Sequence, residues 1–232
     1  MASKANKKRG AEPGKLVNGY LILYNLVQAI GWSYLLLIIA KHYQSPEVGS
    51  TSLWGSVKYI VLIFQNAAVL EILHAALGMV SSSVVLTTFQ VLSRVMVVCG
   101  VLLPTPTGPA SPGLPLALVA WSVTEIIRYL YYACNLLGMQ PYLLVWCRYS
   151  LFMVLYPVGV TGELLCLYAA QAHVSRTKMW SVEMPNRLNF TFSYHYLLLF
   201  VMFLYIPLFP QLYLHMFAQR RKILGSSSKK AQ

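Results

Sequence analysis

The chain has 232 residues, of which 57% are hydrophobic and only 10% are charged, whereas a soluble domain carries about 25% charged residues. The composition therefore excludes an ordinary soluble domain and indicates a membrane protein. The acidic residues are six Glu and no Asp, against eighteen Lys and Arg, which excludes most metal-dependent hydrolysis and phosphoryl transfer that relies on Asp clusters.

The basic charge is concentrated at the two ends of the chain. Ten of the eighteen basic residues lie in the tails: Lys4, Lys7, Lys8, Arg9, Lys15, Arg220, Arg221, Lys222, Lys229 and Lys230. No basic and aromatic domain accompanies this charge, so we expect no nucleic-acid partner. Basic residues that flank hydrophobic segments instead indicate membrane topology and contact with anionic lipid.

Cysteine and histidine give no sign of a metal centre. The four Cys lie in apolar segments without a CxxC pair, and the five His are scattered along the chain. The cysteines resemble small buried hydrophobic residues. The sequence therefore predicts no disulfide framework, no metal site and no bound cofactor.

Six apolar segments are each long enough to cross a bilayer as a helix. They cover residues 16–40, 57–80, 84–103, 116–137, 142–171 and 194–217. The Pro- and Gly-rich stretch at 104–113 cannot be helical and forms a loop. We predict an all-α membrane protein, a six-transmembrane-helix bundle over residues 16–217, with basic tails at 1–15 and 218–232.

Six crossings place both ends of the chain on one side of the membrane. Because both ends are basic, we expect both to be cytosolic. The last four residues, Lys229-Lys230-Ala231-Gln232, match the dilysine pattern that retrieves membrane proteins to the endoplasmic reticulum from the cytosolic side. The alternative is a solvated basic tail. We predict a multi-pass protein of the endoplasmic reticulum membrane.

Charged side chains inside a bilayer are costly, and they mark either a structural pair or a functional site. Three of the six Glu fall inside the predicted helices, and three Arg are their basic counterparts, with one His alongside: Glu71, Glu125, Glu163, Arg94, Arg128, Arg148 and His74. Glu125 and Arg128 are three residues apart on one helix, so they can pair locally. Glu71 and His74 have the same spacing. Two interpretations stay open for these four, an interhelical polar network and direct contact with a substrate.

Glu163 differs because no basic residue lies within two helical turns of it. Tyr156 precedes it by seven residues, which places both on one helix face about 10 Å apart along the axis. Pro157 can kink this helix, and Gly159 and Gly162 remove side-chain bulk beside the face. An unpaired carboxylate in an apolar environment can exchange a proton near neutral pH. The pair suits proton abstraction next to a carbonyl, and the alternative is a structural Glu with an interfacial Tyr.

Eight stretches of the sequence carry a resemblance to a known family. They are AVLEILH (68–74), SSVVLT (82–87), WSVTEIIRY (121–129), RYSLF (148–152), LYPVGVTGE (155–163), MPN (184–186), NFTF (189–192) and QRRKIL (219–224). Together they closely resemble the very-long-chain (3R)-3-hydroxyacyl-CoA dehydratase family, once labelled protein-tyrosine-phosphatase-like. The resemblance covers nearly the whole chain.

The resemblance implies a lyase of the endoplasmic reticulum that dehydrates 3-hydroxyacyl-CoA to trans-2-enoyl-CoA, the third step of fatty-acid elongation. Its partners would be a condensing elongase, a 3-ketoacyl-CoA reductase and a trans-2-enoyl-CoA reductase. The catalytic Tyr and Glu of the family fall on Tyr156 and Glu163. Three assignments stay open: Glu163 takes the C2 proton and Tyr156 acts on the C3 hydroxyl, the reverse, or one residue handles both protons in sequence. The rival functions are an inactive scaffold of the elongation complex and a lipid transporter.

The other membrane charges have less specific expected roles. Arg148 and the basic tails are candidates to hold the CoA phosphates, and the alternative for Arg148 is a topology anchor. Glu71, Arg94, Glu125 and Arg128 would either line the substrate pocket or brace it.

Overall fold

The computed structural model describes residues 14–44, 52–187 and 189–228. The helices in these ranges are α1 (Lys15–Gln44), α2 (Leu53–Ala67), α3 (Leu70–Ala76), α4 (Val84–Val95), a π-helical segment (Met96–Leu102), α5 (Gly113–Leu136), α6 (Tyr142–Ser150), α7 (Phe152–Thr177) and α8 (Tyr194–Ser228). The described residues form no β-strand, and an isolated antiparallel bridge joins Val182 to Phe192.

Six helical units are long and apolar enough to cross a membrane. They are Lys15–Gln44, Leu53–Ala76, Val84–Leu102, Gly113–Leu136, Phe152–Thr177 and Tyr194–Leu224. This finding confirms the prediction of an all-α membrane protein with six membrane-spanning helices. Large apolar side chains on the outside of the bundle, such as Leu23, Phe203 and Ile206, are exposed, as expected for surfaces that contact lipid.

Two of the predicted helices are interrupted in the structure, and α8 continues to Ser228, beyond the predicted end at 217. The predicted second helix is interrupted at Ala68 and Val69 and becomes α2 and α3. The predicted fifth helix is divided at Leu151 into α6 and α7, although the Leu151 N–H still bonds the Cys147 carbonyl. Apolar periodicity cannot reveal such short interruptions because hydropathy is the same on both sides of them. The dilysine motif at 229–230 lies outside the described residues.

Helix α5 occupies the centre of the bundle, where it packs against α1 on one side and α7 on the other. Its contact with α7 is unusually close. A Cβ atom at Gly162 of α7 would lie 2.5 Å from the Ala117 backbone nitrogen and 2.7 Å from the Gly113 carbonyl oxygen. Small residues at a helix interface allow backbones to approach in a membrane protein. The space at Gly162 is therefore filled by the backbone of α5.

We expect Gly162→Ala to force α5 and α7 apart, because the added Cβ meets backbone atoms that cannot rotate away. Overpacking of this kind costs about 1–3 kcal/mol, and the apparent unfolding temperature of the purified protein in detergent should fall. Gly19→Ala is the matched control, since nothing lies within 4 Å of a Cβ there. Equal stability of the two variants would contradict the close α5–α7 contact.

Candidate active site

Glu163 lies on the inner side of α7 and is 8% exposed. Its carboxylate accepts hydrogen bonds from two other helices: Trp121 Nε1 of α5 donates to Oε1 at 2.7 Å, and the Tyr205 hydroxyl of α8 donates to Oε2 at 2.6 Å. The expectation that Glu163 is unpaired was therefore wrong. Each donor is 42 residues away along the chain, so no local spacing in the sequence could have identified them.

Tyr156 lies two turns earlier on α7, in a stack of aromatic rings. Its ring is parallel to that of Phe209, with a 5.0 Å centroid separation and a 2° interplanar angle, and Tyr213 stacks on it at 6.0 Å. Within the described residues the Tyr156 hydroxyl has no hydrogen-bond partner. The two side chains singled out on α7 thus differ, because both Glu163 oxygens are engaged and the Tyr156 hydroxyl is free.

Four of the membrane charges form one network across three helical units. Arg128 donates from Nη1 to Glu71 Oε2 and from Nη2 to Glu125 Oε2, each at 2.5 Å. Arg94 forms an ion pair with the other oxygen of Glu125. The local Glu125–Arg128 pair is therefore confirmed. The network contains two positive and two negative charges, so its members compensate one another inside the bundle.

The Glu71–His74 pair does not form. Glu71 instead accepts a hydrogen bond from the Tyr129 hydroxyl at 2.5 Å as well as those of Arg128. His74 Nε2 lies 2.9 Å from the Tyr20 hydroxyl on α1. The expectation of a local pair was wrong because the long-range partners approach Glu71 from α5, and the ring of His74 points toward α1.

Arg94 connects the charge network to the α7 residues. It lies close enough to both Glu163 and Tyr156 to interact with them electrostatically. Its own ion pair is with Glu125, so Arg94 belongs to the network and also interacts with Glu163.

A second polar cluster lies at the end of the bundle where α1 begins and α8 ends. The Arg148 guanidinium donates to the Tyr132 hydroxyl at 2.9 Å and lies over the rings of Tyr131 and Tyr132. Arg220 Nε donates to Ser150 Oγ at 3.3 Å. Among the residues that the structure describes, neither arginine has a carboxylate partner.

The tyrosine beside Arg148 adds no negative charge to this cluster. Burial raises the pKa of Tyr149 to about 12, and its hydrogen bond with Tyr131 adds to the effect. The Tyr149 phenol is therefore neutral at physiological pH. The cluster combines cationic and neutral aromatic groups, a combination that suits an anionic ligand with an aromatic ring.

The charge network should contribute strongly to stability. In Glu125→Gln the two arginines share only one remaining carboxylate, and removing one partner of a buried ion pair costs about 3–5 kcal/mol. We expect a marked fall in the unfolding temperature in detergent. Glu183→Gln, which removes an exposed pair with Lys178, should change it little.

The double variant Arg94→Gln/Glu125→Gln tests whether charge balance is the cause. Because it removes one positive and one negative charge, it should be more stable than Glu125→Gln alone. A double variant that is less stable than Glu125→Gln would contradict an electrostatic origin of the loss.

Comparison with known proteins places the chain in a family. The family described as "Protein tyrosine phosphatase-like protein, PTPLA" matches residues 65–226. Very-long-chain (3R)-3-hydroxyacyl-CoA dehydratase 2 of Mus musculus is 46% identical over 224 residues, 96% of this chain and 87% of that protein. Very-long-chain (3R)-3-hydroxyacyl-CoA dehydratase hpo-8 of Caenorhabditis elegans is 48% identical over 221 residues, 93% of this chain and 99% of that protein.

A plant relative extends the similarity. Very-long-chain (3R)-3-hydroxyacyl-CoA dehydratase PASTICCINO 2 of Arabidopsis thaliana is 36% identical over 211 residues, 90% of this chain and 95% of that protein. No solved structure matches the chain. Since the family match covers well over half of the sequence and the relatives align over nearly all of it, the chain belongs to the PTPLA family of protein tyrosine phosphatase-like proteins.

Proposed function

We propose that the chain is a membrane-embedded lyase that dehydrates very-long-chain (3R)-3-hydroxyacyl-CoA to trans-2-enoyl-CoA and water, the third step of fatty-acid elongation. The relatives that align over nearly the whole chain carry this activity in their names. The structural observation that supports it is the pair on α7, a buried Glu163 with both oxygens engaged and a Tyr156 with a free hydroxyl.

The reaction needs one group to accept a proton and one to donate a proton. The thioester acidifies the C2–H bond, and Glu163 accepts that proton while the electron pair forms the C2=C3 double bond. The C3–O bond breaks, and the departing hydroxyl takes a proton from the Tyr156 phenol to leave as water. Transfer of the proton from Glu163 to the Tyr156 phenolate restores both groups, so the cycle consumes no protons.

The hydrogen bonds at Glu163 support its role as the base. An ionised carboxylate only accepts hydrogen bonds, and Trp121 and Tyr205 both have an N–H or O–H to donate. Each oxygen retains a lone pair for the C2 proton. Tyr156 has a hydroxyl without a protein partner, so it can donate to the substrate, and the nearby Arg94 stabilises the phenolate that results.

The CoA moiety fits the arginine–tyrosine cluster at the end of the bundle. Arg148 precedes Glu163 by fifteen residues, a rise of about 22 Å along a helix. The thioester must reach Glu163 while the phosphates stay in water, so the pantetheine arm would span this interval. Arg148 and Arg220 lie there without carboxylate partners and suit the CoA phosphates, and the tyrosines suit its adenine.

The cellular setting follows from the tails. With six crossings and basic segments on either side of the bundle, both tails are cytosolic, and the family resemblance implies the endoplasmic reticulum membrane. The arginine–tyrosine cluster then faces the cytosol, where acyl-CoA is dissolved. The 3-ketoacyl-CoA reductase supplies the 3-hydroxyacyl-CoA by reducing the product of the condensing elongase. The trans-2-enoyl-CoA reductase consumes the enoyl-CoA product.

The catalytic assignment is tested by two isosteric variants. Purified protein in detergent receives a long-chain (3R)-3-hydroxyacyl-CoA, and the enoyl product is measured. We expect wild type to form product, and Glu163→Gln and Tyr156→Phe to lose at least about 100-fold in kcat, since each loses one proton transfer. A folded wild type that forms no product, even with an elongase present, would instead indicate a scaffold or a transporter.

The CoA subsite is tested with a truncated substrate. Arg148→Gln should raise KM for the acyl-CoA about 10-fold, because a charge-assisted contact to phosphate is lost. It should leave KM unchanged for the same acyl chain on pantetheine, which lacks the nucleotide. Arg176→Gln, at the opposite end of α7, is the charge-matched control and should affect neither. A KM increase with both substrates would contradict phosphate binding.

A further inference from the structure

The geometry points to α8 as the helix that positions both proposed catalytic side chains, through an aromatic stripe formed by Tyr205, Phe209 and Tyr213. We propose that Tyr205 is a positioning residue that fixes the Glu163 carboxylate and that Phe209 fixes the ring of Tyr156. This inference rests on the proposed function, since it concerns how the proposed base and acid are oriented.

The three residues of the α8 stripe share one helix face because they are spaced by four residues. Each is half-buried, whereas their neighbours Ile206 and Leu214 are exposed. The stripe is therefore the part of this section of α8 that contacts the bundle. Its partners are the same α7 face that carries Tyr156 and Glu163, so α8 meets the proposed catalytic pair along the length of the stripe.

Tyr205 fixes Glu163 through a hydrogen bond of 2.6 Å to Oε2. Trp121 of α5 donates to the other oxygen at 2.7 Å, so the carboxylate is held between two helices. A carboxylate with one donor can rotate about its terminal bond, but one with a donor on each oxygen has a defined plane. A fixed plane directs the remaining lone pairs toward one substrate position, which is the geometric requirement for efficient proton transfer.

Phe209 fixes Tyr156 without engaging its hydroxyl. The rings are parallel, with centroids 5.0 Å apart, an offset-stacked arrangement that contributes about 0.5–1.5 kcal/mol beyond burial in known pairs. Stacking restrains the ring plane and leaves the oxygen free for the substrate. The α8 stripe thus engages the polar atoms of Glu163, the proposed base, and only the ring of Tyr156, the proposed acid.

Tyr213 stabilises the helix that carries the pair. Pro157 has no N–H, so the carbonyl four residues earlier, that of Met153, loses its usual partner in the helix. The Tyr213 hydroxyl donates to this carbonyl at 3.0 Å. The carbonyl that Pro157 leaves without its helical partner is therefore bonded by α8, and the α8 stripe contacts α7 at Glu163, at Tyr156 and at the Met153 carbonyl.

The test compares two Tyr→Phe variants on α8, each of which removes one phenolic hydroxyl. Tyr205→Phe removes the hydroxyl that bonds Glu163. Tyr194→Phe removes a hydroxyl at the first residue of α8 that bonds the Gly100 carbonyl of the π-helical segment at 2.8 Å. Each variant loses a hydroxyl that joins α8 to another helix, and the Tyr194 hydroxyl also bonds Met96 Sδ at 3.9 Å, so both unfolding temperatures should fall. Dehydration of a long-chain (3R)-3-hydroxyacyl-CoA gives kcat and KM.

If Tyr205 positions Glu163, Tyr205→Phe lowers kcat about 10-fold and leaves KM within about twofold, because substrate binding is intact and proton transfer is misaligned. Tyr194→Phe keeps wild-type kcat. Phe209→Leu removes the ring that stacks on Tyr156 and leaves Tyr205 in place, so it is an independent test. It should show the same loss in kcat. The proposal is overturned if Tyr205→Phe keeps wild-type kcat, or if Tyr194→Phe loses as much kcat as Tyr205→Phe. If Tyr205→Phe does not fold, wild-type kcat in Phe209→Leu overturns the proposal.

Parallel measurement of Glu163→Gln separates this proposal from the proposed function. If wild type forms no enoyl product, the proposed function fails and the positioning role fails with it. If wild type is active, Glu163→Gln is inactive and Tyr205→Phe matches wild type, the proposed function stands and only the positioning role is wrong.

Discussion

Carboxylates inside a bilayer must find partners within the protein, because lipid provides neither water nor counter-ions. Glu71, Glu125 and Glu163 each meet this requirement through side chains of other helices. These contacts restrict how the helices can be rotated and shifted relative to one another. Polar contacts therefore help to hold the bundle in one arrangement, together with the close packing of its small residues.

Helix α5 provides side chains for most of these polar contacts between helices. One part of it provides Glu125, Arg128 and Tyr129 to the charge network, and an earlier turn provides Trp121 to Glu163. Its small residues also allow α7 to approach closely at Gly162. Because the same helix contacts both sites, the charge network and the Glu163 carboxylate are held in a fixed relation, and Arg94 of the network interacts electrostatically with Glu163.

Polar groups in the bundle divide into those that are satisfied and those that remain available. The network of two arginines and two glutamates is internally paired, and both oxygens of Glu163 are engaged. Within the described residues the Tyr156 hydroxyl has no hydrogen-bond partner, and Arg148 and Arg220 bond only hydroxyl groups and pair with no carboxylate. Groups left available inside a packed protein are those that a substrate can use.

The sequence by itself determined the six apolar spans, the local pair of Glu125 and Arg128, and the placement of Tyr156 and Glu163 on one face of a helix. Each of these depends only on hydropathy or on helical spacing, which the order of residues specifies directly. The tertiary structure decided the partners of Glu71 and Glu163. Arg128 is 57 residues from Glu71, and Trp121 and Tyr205 are each 42 residues from Glu163, so these contacts exist only once the helices have packed.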